Sequence, residues 1–266
     1  MVSENLYKAF SVYELKPRFS DRWDQNRVYD NLDLDFEQFY NLRTVPLEYL
    51  NIYYEEMYTC GDNEDFLYLL PRILESEIWL QEAFHAPLEY MFKKTDFLNW
   101  KESERKVVID YLQERFYSLL TNGEFTAYHY SKLLKSMIEE FGVEIEFDEL
   151  KIRTALSTLI DAPATEEQGG KIYDFLSVVL ELPFANSVLG LLPDLFKNDV
   201  NHLLNFSYFL QRQNYFFEIV NAANLDWAIK YRKALEDAFS NAKNEEEQRL
   251  FSDAEYMMSL WIKGFN

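Results

Sequence analysis

The chain has 266 residues, one cysteine, and 26 Lys plus Arg against 46 Asp plus Glu, a formal charge of −20 with a sequence pI near 4.5. The single Cys60 excludes an internal disulfide, and a field of that sign repels phosphate backbones and anionic lipid while attracting cationic surfaces. Only 7 Gly and 7 Pro punctuate a chain that is 48% hydrophobic and 17% aromatic, too few for the many tight turns of a sandwich or barrel, so helices are expected.

In chain order, a first helix is predicted over 4–14, capped by Ser3 and ended before Pro17, with Leu6, Tyr7, Phe10 and Tyr13 at helical spacing. Residues 18–35 read as an irregular segment anchored by Phe19, Trp23 and Tyr29, within a less regular stretch over 18–45. A second helix starts near Pro46 and stops at Gly61. The next begins at Asp62 or Asn63 and carries Phe66, Leu69, Leu70, Ile73 and Leu74 on one stripe, with Pro71 expected to kink or restart it. Another follows from about Ile78 and is marked by Pro87.

The segment NWKESERKVVIDYLQERFYSLL is the most regular helix, with Asn99 as its cap and Val108, Leu112, Phe116, Leu119 and Leu120 on one face. Beyond Gly123, helices are expected over 126–141, 148–160, 165–182, 187–196, 198–221, 226–241 and 244–263. VEIEF at 143–147 alternates as a strand would, in isolation. The expectation is an all-α protein of ten to twelve helices in an irregular bundle, kept as one domain over 1–266, with a solenoid-like stack of helix pairs as the alternative. Apolar stretches such as 172–192 are broken by charges, Pro183 and Gly190, so no membrane crossing is expected, and the start of the chain has no leader pattern, which points to the cytoplasm.

CGDNEDFLYLLPRILE at 60–75, LNWKESERKVVIDYLQERFYSLL, and the late DAFSNAKNEEEQRLFSDAEYMM resemble a family of bacterial cytoplasmic helical proteins. The residues that carry the likeness are Gly61, Asp62, Asp65, Phe66, Leu70, Pro71, Arg72, Ile73, Leu74, Glu75 and Trp100. The resemblance implies a helical fold and no particular activity.

Four residues make the sharpest chemical pattern. Glu82 with His85, and Asp199 with His202, each place a carboxylate and an imidazole three apart on a helix, one element of a helical transition-metal site; Glu89, Glu114, Glu139 or Glu181 could supply bridging carboxylates. Solvent-facing acids and helix caps explain the same spacings without a metal, and no cofactor is expected on that reading. His129 reads as a helix residue without a nucleophile to serve, and Cys60 as a packing residue at a helix end. Asp33, Asp35 and Glu37 open like a calcium loop, but Gln38 and Thr44 stand where glycine and an acid are needed. Gly169-Gly170-Lys171 lacks the rest of a phosphate loop and reads as a weak spot in a helix.

Arg72, inside an apolar helix, must send its fork to a carboxylate or a free carbonyl, and Asp65, Asp62 or Glu75 could receive it; a bound anion is the functional variant of that reading. With no catalytic signature, abundant Tyr and a strong negative charge, the leading functional expectation is a non-enzymatic interaction protein covering a basic protein partner, as an inhibitor or immunity-like protein would. Alternatives are a metal enzyme on the four residues above, and a passive helical scaffold. Nucleic acid is not an expected partner.

Overall fold

The computed structural model describes residues 2–15, 36–60, 62–80, 87–122, 124, 126–212, 219–222 and 224–264. Among them lie twelve α-helices and no strand: α1 Val2–Phe10, α2 Leu47–Cys60, α3 Asn63–Ser76, α4 Leu88–Lys94, α5 Glu102–Asn122, α6 Ala127–Phe141, α7 Glu149–Asp161, α8 Glu166–Val179, α9 Ala185–Leu195, α10 Val200–Gln211, α11 Leu225–Ser240 and α12 Glu245–Gly264. The all-helical expectation therefore holds. Among the described residues no helix is long and apolar enough to cross a membrane. The anchors proposed at Phe19, Trp23 and Tyr29, the calcium-like acids Asp33 and Asp35, and the Glu82–His85 pair lie outside the described residues.

Helix starts follow their caps. The Asp62 side chain accepts from the backbone N–H of Glu64 and Asp65, and the Asp65 carboxylate returns to the Asp62 N–H, a complete capping box. Asp148, Thr165 and Asp199 cap α7, α8 and α10 through single side-chain bonds to the third residue onward. Other boundaries differ from the sequence reading. Helix α1 ends at Phe10, and the Ser11 hydroxyl donates back to the Lys8 carbonyl. Asn99 does not cap α5: it closes a 3₁₀ turn, Phe97–Asn99, and its amide donates to Asp96 at 2.6 Å. The helix expected at Ile78 is a 3₁₀ turn, Ile78–Leu80.

Pro71 neither ends nor restarts α3, which runs through it to Ser76. A proline inside a helix costs about 3 kcal/mol. Burying each of Phe66, Leu69, Leu70, Ile73 and Leu74 offsets it, at about 1.5–3 kcal/mol a side chain.

The chain folds as two compact units, Met1–Glu114 with Ser136–Val143, and Arg115–Lys135 with Glu144–Asn266. In the first, α3 packs on α1 and α2, and rings make much of the core: Trp100 meets Phe10, Phe92 and Phe97 edge-on with centroids 5.0–5.8 Å apart, while its indole N–H donates to the Thr95 carbonyl. In the second, α10 is central and touches α7, α8, α11 and α12, and α11 and α12 form an antiparallel hairpin. Phe196, Phe206, Trp227 and Tyr231 cluster there at 5.0–6.3 Å. Gly142 at φ +65° ends α6, and residues 142–148 run on without regular structure.

Candidate functional site

In the first unit, Asp62 and Asp65 are spent on the α3 cap, and Arg72 is served elsewhere. Its Nε and Nη2 donate to the Val45 carbonyl at 3.4 Å each, and Nη1 reaches Glu75 at 3.3 Å. Of the three acids considered for it, Glu75 is the receiver. That carbonyl belongs to the residue before Pro46, so Arg72 ties α3 to the chain entering α2. Glu75 also accepts from the Tyr7 hydroxyl at 2.7 Å, and the Tyr7 ring carries the Arg43 guanidinium at 4.2 Å, itself forked onto Glu4 at 2.7–2.8 Å. Burial, reinforced by Glu75, pushes the Tyr7 hydroxyl well above its ordinary range. The fork of Arg72 thus joins α3 to the chain entering α2, while Glu75 joins α3 to α1 through Tyr7.

Asp199 and His202 do come together, in the second unit, at 3.7 Å. The third member is Asp161, whose Oδ1 lies 3.0 Å from His202 Nε2. The Lys197 backbone N–H donates to Nδ1 at 3.0 Å, so Nδ1 is the acceptor and the ring proton is assigned to Nε2, facing Asp161. Both ring nitrogens of this buried histidine are engaged by protein groups. Among the described residues no group of three His, Cys, Asp or Glu side chains is placed to hold a metal ion.

The neighbours of His202 complete a capping arrangement that sequence spacing did not show. Asn205, fully buried, donates through Nδ2 to the carbonyls of Ile160 and Ala162 at 2.9 Å, and Asn201 donates to Ala162 at 3.0 Å while accepting from the Ala164 N–H at 2.9 Å. One polar stripe of α10 therefore closes the carboxyl end of α7.

The glycine pair has a definite role. A Cβ on Gly169 would lie 2.6 Å from the Tyr208 carbonyl carbon and 2.7 Å from the Phe209 nitrogen, so α8 rests directly on the α10 backbone there. A Cβ on Gly170 would meet the Arg212 guanidinium at 3.2 Å. Glycine at both positions lets α8 approach α10 and lets Arg212 lie across α8, where it reaches Glu166 at 3.5 Å.

Beside this contact the second unit has a cleft of about 430 Å³, lined by Glu166, Leu210, Gln211, Arg212, Asp253 and Met257. That volume is in the range of ligand clefts. Its floor is aliphatic and its rim carries two carboxylates; Arg212, its one cation among the lining residues, is paired with Glu166. Next to it Tyr208 is half-buried, and burial, together with the charges of Glu246, Glu247 and Glu166, pushes its hydroxyl upward. A smaller apolar pocket of about 80 Å³ between α5, α6, α7 and α8 is lined by Leu120, Leu159, Phe175 and Val178, with Lys171 and Asp174 at its edge. It is below the size of ordinary small-molecule sites. Burial holds the Asp174 carboxyl above its ordinary range, with Arg212 offsetting only part of the rise.

Comparison of the chain with protein-family models, with curated proteins and with solved structures gives no match. The cleft residues Glu166, Arg212 and Asp253, with Tyr208 beside them, escaped sequence reasoning because they come from separate helices with no shared motif. The glycine pair, read from sequence as a weak spot in a helix, is the signal that could have led to them.

Proposed function

We propose that this protein is a non-enzymatic interaction module whose second unit takes a basic protein partner in the acidic cleft between α8, α10 and α12. The observation that carries this reading is the pairing of an aliphatic floor, Leu210 and Met257, with the rim carboxylates of Glu166 and Asp253. Lysine and arginine are amphipathic in the same way: their stems bury on apolar surface while their heads stay at a polar rim. Tyr208 offers a ring next to Glu246 and Glu247, a surface that attracts a second cation. The overall charge of −20 steers such a partner and makes its association fall with salt. An inhibitor that covers a basic surface is the specific form of the reading.

The test is titration of a labelled Lys/Arg-rich peptide with the full chain, at low and at high salt. Binding that weakens steeply with salt and is reduced about tenfold or more by Glu166→Lys with Asp253→Lys is the expected result. Absence of binding at low salt, or binding indifferent to that charge reversal, refutes it.

A further inference from the structure

We propose that residues 144–148 form an open strand edge that accepts an extended, cationic segment of another protein by β-addition. The inference rests on the reading of the protein as a receptor for basic partners and names a second place and mode of contact. Exposure alternates along the segment: Glu144 and Glu146 are exposed while Ile145 and Phe147 are half-buried, the pattern of an extended chain lying on a core. Phe147 is anchored by the Phe184 ring, 5.1 Å away.

The backbone shows which edge is free. In an extended chain the N–H and C=O of one residue point to one edge and those of the next residue to the other. Tyr117 occupies the even-numbered edge: its hydroxyl donates to the Glu146 carbonyl at 2.9 Å and accepts from the Asp148 N–H at 3.0 Å. On the other edge, among the described residues, the backbone groups of Ile145 and Phe147 have no hydrogen-bonded partner. A single added strand could pair with both.

Charge selects the occupant. A second copy of this chain pairing edge to edge would set Glu144 and Glu146 against their own kind, which is unfavourable for directly opposed residues. A strand with lysine or arginine on its outward face would set opposite charges there instead. Two strands alone are marginal in water, so the added ladder relies on these charges and is salt-sensitive.

The probe is an eight-residue peptide of alternating lysine and valine, added to the full chain at low salt, with amide exchange followed residue by residue. Slowed exchange at Ile145 and Phe147, with affinity reduced about tenfold or more by Glu144→Lys with Glu146→Lys, is expected. Ile145→Pro removes one donor from the edge and should weaken binding comparably; the charge variant, which leaves the backbone intact, guards against a folding defect. Binding that survives both changes but is lost on Glu166→Lys with Asp253→Lys overturns the strand edge and leaves the cleft reading standing. No binding of any cationic peptide overturns both. Protection of the same amides that grows with the protein's own concentration, without peptide, overturns the assignment of the occupant.

Discussion

Replacing Gly169 by alanine isolates the contact on which the cleft is built. In an ordinary helix the change would gain about 1 kcal/mol. Here the new methyl group would sit 2.6–2.7 Å from two backbone atoms of α10, where ordinary contacts begin at 3.4 Å. Neither atom can rotate away, so α8 and α10 must part by roughly 1 Å over their shared face. Overpacking of this kind costs about 1–3 kcal/mol, and backbone against backbone belongs at the upper end. The net expectation is a loss of about 2 kcal/mol, or roughly 4–8 °C in the thermal midpoint of a unit this size, followed by circular dichroism. Gly190→Ala in α9 is the control: no atom lies within 4 Å of its new methyl group, and it should gain up to about 1 kcal/mol. A Gly169→Ala protein as stable as the parent, or a Gly190→Ala protein equally damaged, would refute the close-approach argument.

Other expectations follow from the same geometry. Asn205→Ala leaves the Ile160 and Ala162 carbonyls short of a buried donor and should cost about 1–3 kcal/mol in urea unfolding. Asp62→Ala removes the box that starts α3, at about 1 kcal/mol, read in the same assay. The hydroxyls of Tyr7, Tyr13, Tyr68, Tyr208 and Tyr231 are all raised, chiefly by burial, above the ordinary value of 10.0. The folded state therefore holds their protons more tightly than the unfolded state. Stability is intact below that value and is lost as pH rises through and beyond it. Phenolate absorbance should show these rings ionising together with unfolding, and gradual ionisation of all tyrosines in a folded chain would contradict it.

Much of the fold was legible in the sequence because its helix starts are written in single side chains. Asp62, Asp148 and Thr165 each announce a start that the structure keeps. The misreadings occur where burial outweighs a local rule. Pro71 is a breaker by propensity, yet it sits inside α3 because the neighbours it shares that helix with are buried. Asn99 is a good cap by type, but the Trp100 indole is drawn into a ring cluster and the preceding residues tighten into a 3₁₀ turn. At 143–147 the alternation of exposure expected of a strand is present, but no strand forms there and none lies beside it among the described residues. The site was harder. Gly169 and Gly170 look like a flaw in a helix until the backbone of α10 is seen against them, and the spacing of Asp199 and His202 does not show that Lys197 and Asp161 also meet the ring. Partners brought together from distant positions leave no trace in local spacing.

The polar stripe of α10 also joins two distant stretches of the chain. The Asn205 amide that completes the last turn of α7 comes from 45 residues beyond Ile160. The last carbonyls of a helix find no donor in their own backbone, and here the Ile160 and Ala162 carbonyls are met from α10 instead. A change at Asn205 is therefore felt at the end of a different helix, far from it in sequence.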